Sequence, residues 1–263
     1  MSRAQPRSSW AVFIGSVSAF MLRELKSRYF TTRLGLVWAV ADPAIILVLL
    51  VLIRGVILDK SVPIAGVTAA EFFFWGVLAF FMFSQPANAC NNAIKVSKGL
   101  LSYRQIQPID IVVARVLIEW SVLMLVGVLA VFVWWLVGNS VVIDDPLGVL
   151  FYLLCMLVLG LSFGLFTELT STLVPDARRV FANLMRPMLF ISGLFFTMEM
   201  IPWGAEKYLV WNPVLHLVDL ARGAALREYV SPGSISYALG CSSAFLLVAL
   251  SLYHRYRDQF QQP

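Results

Sequence analysis

The chain has 263 residues, of which 60% are hydrophobic and only 13% charged, with a mean hydropathy of +0.82. Soluble domains carry roughly a quarter of their residues as charges, so this composition argues against a soluble enzyme and predicts a polytopic α-helical membrane protein. The net charge of +5 does not point to nucleic acid, because the basic residues gather at the ends of apolar runs, where they orient a membrane protein.

The first apolar piece, residues 10–22, is short, and Arg23, Glu24, Lys26 and Arg28 follow it where a signal peptide would have a small-residue cleavage site. At helical spacing, Trp10, Phe13, Ile14, Val17, Phe20, Met21 and Leu25 make one apolar face, with Ser16, Arg23, Lys26 and Ser27 opposite. That pattern suits a helix lying in the membrane interface; the alternative is a fraying tail. A bilayer crossing takes about 20 apolar residues. Six segments qualify, roughly 34–57, 72–94, 111–137, 147–174, 181–197 and 234–253, the fifth being the shortest. Residues 198–233 are too apolar for a disordered loop and too polar to span twice. Ile201, Trp203, Tyr208, Leu209, Trp211, Val214, Leu215, Leu217, Leu220 and Leu226 are punctuated there by Pro202, Pro213 and Pro232. Two short re-entrant helices are predicted, which survive at membrane depth only when packed on protein or lining a wet cavity. No internal repeat emerges, which argues against an inverted-repeat carrier.

Fifteen of the twenty Lys and Arg residues fall in residues 1–33, 94–115, 175–186 and 254–263, the others being Arg54, Lys60, Lys207, Arg222 and Arg227. The positive-inside rule then predicts cytoplasmic termini and two cytoplasmic loops. Asp59, Glu71, Asp144, Asp145, Glu199, Glu206, Asp219 and Glu228 lean to the other side.

Enzymatic constellations are thin. The only histidines are His216 and His254, and neither a zinc-binding His-Glu-x-x-His nor a Gly-x-Ser-x-Gly occurs. His216 near Asp219 reads as a structural pair, and Asp144-Asp145 before Pro146 as a solvated turn rather than a metal site. Cys90, Cys155 and Cys241 read as small buried hydrophobes. No Gly-x-x-x-x-Gly-Lys-Ser/Thr occurs, so any energy comes from a separate subunit or an ion gradient. Intramembrane charges are costly unless paired or wet, which singles out Asp42, Arg54, Arg115, Glu119 and Glu168. Arg115 and Glu119 can pair on one helix face, and Glu168 alone is thin support for a proton relay. Phe72, Phe73, Phe74, Trp75, Phe80, Phe81 and Phe83, with Trp134 and Trp135, are either lipid-facing bulk and an interfacial belt, or a smooth lining on which sugar rings stack. The stretch 95–110, KVSKGLLSYRQIQPID, sets Leu100, Leu101 and Tyr103 among Lys98 and Arg104. It reads as a short amphipathic segment for insertion into a soluble partner's groove, or as an ordinary basic loop.

Four features together carry a family resemblance: Arg33-Leu34-Gly35-x-x-Trp38-x-x-x-x-Pro43; the amphipathic helix before it; the basic loop between spans two and three; and Trp211-Asn212-Pro213-Val214-x-His216-x-x-Asp219-x-x-Arg222-Gly223 before the last span. The chain resembles, over essentially its whole length, the permease subunit of ABC-2 type exporters of capsular polysaccharide. Asp42 stands where a neutral residue or a glutamate is expected before the proline.

The resemblance implies one all-α membrane domain over residues 1–263. It would comprise an interface helix in 1–33, six spans in 34–253 with a re-entrant segment at 198–233, and a tail at 254–263. It implies a homodimer in the bacterial inner membrane with two copies of an ATPase subunit, which would hold the ATP and magnesium; this chain would hold no cofactor. It implies export of a lipid-linked acidic polysaccharide, with a periplasmic co-polymerase and an outer-membrane export protein continuing the route. By that analogy Lys98, Leu100, Leu101, Tyr103, Arg104, Arg23 and Lys26 dock the ATPase, and Arg28, Arg33, Trp38 and Asp42 admit the substrate. Phe72, Phe73, Trp75, Phe80, Phe81 and Phe83 line the channel, and Trp211, Asn212, His216, Asp219 and Arg222 form a periplasmic gate. The alternatives are an ABC-2 permease for O-antigen, teichoic acid or a drug, and an ion-coupled carrier or membrane enzyme.

Overall fold

The structure is a computed structural model and describes residues 9–29, 35–53, 67–91, 93–96, 107–138, 143–201 and 204–261; no strand occurs among them. The helices are α1 (Ser9–Tyr29), α2 (Gly35–Leu52), α3 (Ala69–Ala89), α4 (Ala93–Val96), α5 (Pro108–Leu136), α6 (Pro146–Leu173), α7 (Ala177–Ile191), α8 (Glu206–Leu209), α9 (Pro213–Ala225) and α10 (Ile235–Gln261), with a 3-10 turn at Met198–Met200.

Local chemistry sets where several of them begin. Thr68 and Glu71 form a reciprocal cap on α3: the Thr68 hydroxyl accepts the Glu71 N–H at 3.3 Å and the Glu71 carboxylate accepts the Thr68 N–H at 3.0 Å. Proline occupies the first position of α5, α6 and α9, where its missing N–H costs no helical bond. Asp145 caps α6 by accepting the Gly148 N–H at 2.9 Å, and Asn212 caps α9 by accepting the Val214 N–H at 3.0 Å.

Pro108–Leu136, Pro146–Leu173 and Ile235–Tyr256 are long and apolar enough to cross a membrane. They match the third, fourth and sixth expected spans. α2, α3 and α7 overlap in sequence the segments expected as the first, second and fifth spans. At 15 residues, α7 is about 22 Å long, short of a hydrocarbon core of about 30 Å. It stops at Ile191 because the chain turns through Gly193, whose φ of 77° lies in the left-handed region. The expected pair of helices in 198–233 is one single-turn helix, α8, and one of 13 residues, α9.

Two apolar cores stack along the bundle. One joins α3 to the first half of α6 and to α9; the other joins α1, α4, the start of α5, the second half of α6 and the end of α10. The second core therefore gathers described parts of three of the basic segments, in α1, in α4 with the start of α5, and at the end of α10, at one end, here the basic end. α3 is the central helix, with residues 72–84 buried without a break. All six aromatics expected to line a channel, Phe72, Phe73, Trp75, Phe80, Phe81 and Phe83, are thus buried within the subunit. Phe83 packs against Phe163 of α6, ring centroids 5.9 Å apart. Trp135, by contrast, is 59% exposed at the far end of α5.

α6 reaches α3 closely through Gly160 and Gly164. A Cβ on Gly160 would lie 2.8 Å from the Phe83 carbonyl oxygen, and one on Gly164 would strike Cys90 Sγ and sit 3.1 Å from Ala87 Cα. Small residues four apart allow such backbone approach where lipid offers no hydrophobic driving force between helices.

α1 docks on α5 through Phe13, Val17, Phe20 and Met21, a narrower stripe than its sequence predicts, because Ile14 is 50% exposed. Arg115 of α5, expected to pair with Glu119 on its own helix face, lies 3.3 Å from Glu24 of α1 across the helices.

Candidate functional site

The far end is organised around Arg222, which is fully buried on α9. Its Nε donates to the Phe72 carbonyl at 3.3 Å, its Nη2 to those of Gly193 and Leu194 at 3.0 and 3.3 Å, and its Nη1 to that of Phe196 at 3.4 Å. The guanidinium also stacks 3.8 Å over the Phe72 ring. The planar fork thereby ties α9 to the first turn of α3 and to the turn after α7. Gly76 makes the room, since a Cβ there would collide with the guanidinium.

Asp219, one turn earlier, accepts the Tyr229 hydroxyl at 2.8 Å, the Ser231 hydroxyl at 2.6 Å and the Met198 N–H at 3.4 Å. Burial, and then the adjacent Asp219 carboxylate, push the Tyr229 phenol up, which keeps it a donor. His216 accepts the Ser234 N–H on Nδ1 at 3.0 Å, which leaves Nε2 to donate to the Val210 carbonyl at 2.8 Å. His216 and Asp219 thus take separate partners rather than pairing. Asn212 donates to the Ile191 carbonyl at 3.2 Å and the Ser192 hydroxyl at 3.0 Å, while Asp145 N–H donates to the Ala224 carbonyl at 2.9 Å. α9 is therefore stitched to α3, to the end of α7, to the start of α6 and to residues 229–234. Of the five residues expected as a gate, only Trp211 is strongly exposed, at 74%. The other four hold the cap in place, with their polar groups turned to its own chain.

At the basic end, Glu168 of α6 is fully buried and accepts the Ile94 N–H at 2.9 Å. Arg23 and Lys26 are exposed on α1, and Trp38 on α2 is 55% exposed. Lys98, Leu100, Leu101, Tyr103, Arg104 and Arg33 lie outside the described residues, as do the side chains of Arg28 and Asp42. Among the described residues no group of three His, Cys, Asp or Glu side chains is placed to hold a metal ion.

Two features lie outside the motifs singled out in the sequence: the glycine pair of α6 and the acceptors of Arg222. Gly160 and Gly164 carry a legible signal in their four-residue spacing on an apolar helix. The Arg222 network carries almost none, because its acceptors are backbone carbonyls up to 150 residues away in the chain.

Long apolar helices, a basic end and an internally bonded cap describe a multi-pass membrane protein with no catalytic constellation among the described residues. The sequence pattern of the ABC-2 type transporter family matches residues 15–226, and the chain belongs to that family. It is 32% identical over 248 residues to the polysialic acid transport protein KpsM of Escherichia coli, covering 94% of this chain and 95% of that one. It is 23% identical over 247 residues to the capsule polysaccharide export inner-membrane protein CtrC of Neisseria meningitidis serogroup A, covering 91% and 90%. It is also 24% identical over 261 residues to the O-antigen export system permease protein RfbA of Myxococcus xanthus, covering 94% and 95%. The chain is a transport component rather than an enzyme, and its family implies a partner ATPase.

Proposed function

We propose that this chain is the permease of an ATP-driven exporter that carries lipid-linked capsular polysaccharide across the bacterial inner membrane. The end-to-end similarity to polysialic acid and capsule export proteins carries this reading. In it, two copies pair in the membrane, each with six spans, cytoplasmic termini and a cap of α8 and α9 dipping in from the periplasmic side. Two ATPase subunits hold ATP and magnesium and dock at the basic end through Lys98, Leu100, Leu101, Tyr103, Arg104, Arg23 and Lys26.

The lipid-linked acidic glycan is drawn in at the cytosolic surface by Arg28 and Arg33, beside Trp38 and Asp42, since basic juxtamembrane side chains attract anionic headgroups. It passes along the seam between copies. The α3 aromatics, including Phe72, Phe80 and Phe83, back the wall of that path, and the α9 cap with Trp211 closes its far end. A periplasmic co-polymerase and an outer-membrane export protein receive it. ATP-driven closure rocks the two copies as rigid bodies about the seam.

The test is affinity purification of the tagged permease in mild detergent from cells that make the capsule. Recovery of an ATPase, lost on the double change Tyr103→Ala and Arg104→Glu, is expected. A permease that purifies without any ATPase overturns the reading. Loss of O-antigen rather than capsule from the surface of a deletion strain would transfer it to the RfbA-like cargo.

A further inference from the structure

Glu168 stands where two moving parts of an exporter would meet. It is fully buried near the end of α6. One carboxylate oxygen accepts the backbone N–H of Ile94, itself only 2% exposed, at 2.9 Å. The other lies 3.8 Å from a guanidinium nitrogen of Arg178, in the first turn of α7. Ile94 belongs to α4, the four-residue helix from which the docking stretch leaves. One carboxylate therefore bridges the stem of that stretch and the start of α7.

Drawing α4 away from Glu168 would strip a buried carboxylate of its Ile94 N–H donor and leave that oxygen unsatisfied among apolar atoms, which is costly. A push on α4 is thus relieved most cheaply when Glu168, Arg178 and α7 move with it. Asn91 Oδ1, Thr170 Oγ1, Ser171 Oγ and Arg178 Nε are buried polar atoms with no hydrogen-bond partner among the described atoms. Each lies within three residues of Ile94 or Glu168, or on Arg178 itself. Polar atoms without partners beside the joint leave room for new hydrogen bonds when it shifts.

We propose that Glu168 is a positioning residue that transmits movement of the docking stretch to α7 through Ile94 and Arg178. The proposal rests on the reading that an ATPase docks at residues 95–108. Glu168→Gln keeps an acceptor for Ile94 and loses the charge pairing with Arg178. Arg178→Gln breaks the same pair from a side chain that is 25% exposed, and Arg178→Lys restores the charge.

The experiment compares these variants in capsule-producing cells by three readouts: ATPase co-purified per permease, ATP hydrolysis by that complex, and the ratio of surface to intracellular polysaccharide. Glu168→Gln and Arg178→Gln are expected to keep the ATPase and its hydrolysis while the export ratio falls about tenfold, with Arg178→Lys recovering most of it. A purely structural role would instead lower the amount of complex and leave export per complex unchanged. Normal export per complex in both Gln variants overturns the proposal. If Glu168→Gln does not accumulate, the Arg178 pair decides alone. If wild-type permease recovers no ATPase, the docking reading fails and this proposal falls with it, whereas retained ATPase with normal export per complex overturns this proposal alone.

Discussion

The guanidinium of Arg222 lies 3.8 Å above the ring of Phe72 and donates to the carbonyl of the same residue. One side chain thus joins α9 to the first turn of α3 by stacking and by a hydrogen bond, while its remaining N–H groups reach the turn that follows α7. The cap over the far end is therefore part of the bundle's own core, and its rigidity comes from backbone carbonyls that only an arginine fork can serve together.

Replacing Arg222 should be the most damaging single change at that end. Arg222→Met leaves four carbonyls, three of them on buried residues, without this donor, at about 1–3 kcal/mol for each buried group left unsatisfied. The expected outcome is a variant that fails to accumulate or melts far lower in detergent. Arg222→Lys keeps the charge but cannot reach four acceptors at once, so its melting temperature should fall between the two.

His216 offers a finer test, because its two ring nitrogens have different tasks. Asparagine can place an acceptor near the Nδ1 position, and glutamine a donor near Nε2. Each should keep one of the two ties and lose about 1 kcal/mol, while His216→Ala loses both. Thermal melts should rank histidine first, asparagine and glutamine next, and alanine last. A neutral alanine variant would refute the assigned hydrogen bonds.

Close approach of α6 to α3 predicts a strong response at Gly164. Gly164→Ala drives a methyl group into Cys90 and Ala87 and should cost about 1–3 kcal/mol. Adding Cys90→Ala removes the sulfur and should recover part of that loss. The double-mutant cycle should therefore be non-additive, as expected of residues in contact.

The turn before α6 separates a cap from a surface ion pair. Asp145→Ala removes the N-cap and should cost about 1 kcal/mol, with Asp145→Asn nearly neutral. Arg227 and Asp144 are 4.0 Å apart with side chains 77% and 49% exposed, so Arg227→Ala should change stability by less than about 0.5 kcal/mol. The comparison is read from melting temperatures in one buffer at one salt concentration.

Much of the architecture is legible before any coordinates. Hydropathy marks the three longest spans, and Pro146 and Pro213 behind Asp145 and Asn212 mark two helix starts. The Trp211–Gly223 motif is visible as a motif, but what it does is not. His216 and Asp219 look like a pair in sequence, yet each bonds residues 229–234 or the segment before α9. Phe72 to Phe83 look like a lining or a lipid face, and instead form the centre of the subunit. An apolar helix buried on all sides and one bathed in lipid have the same composition, so periodicity cannot distinguish them.

The amino-acid sequence by itself determined the solvent of this protein and its membership of a transporter family. Those properties are sums over residues or short local patterns, and they need no knowledge of which helices touch. Only the tertiary structure decided that Arg222 serves carbonyls on two other elements, that Arg115 meets Glu24 on α1, and that Glu168 joins α4 to the start of α7. Inside a bilayer, helices gain nothing hydrophobic by choosing one neighbour over another. The choice falls to small residues that permit close approach and to buried polar groups that must find partners. Those partners are fixed by packing across the chain, where no spacing along it can show them.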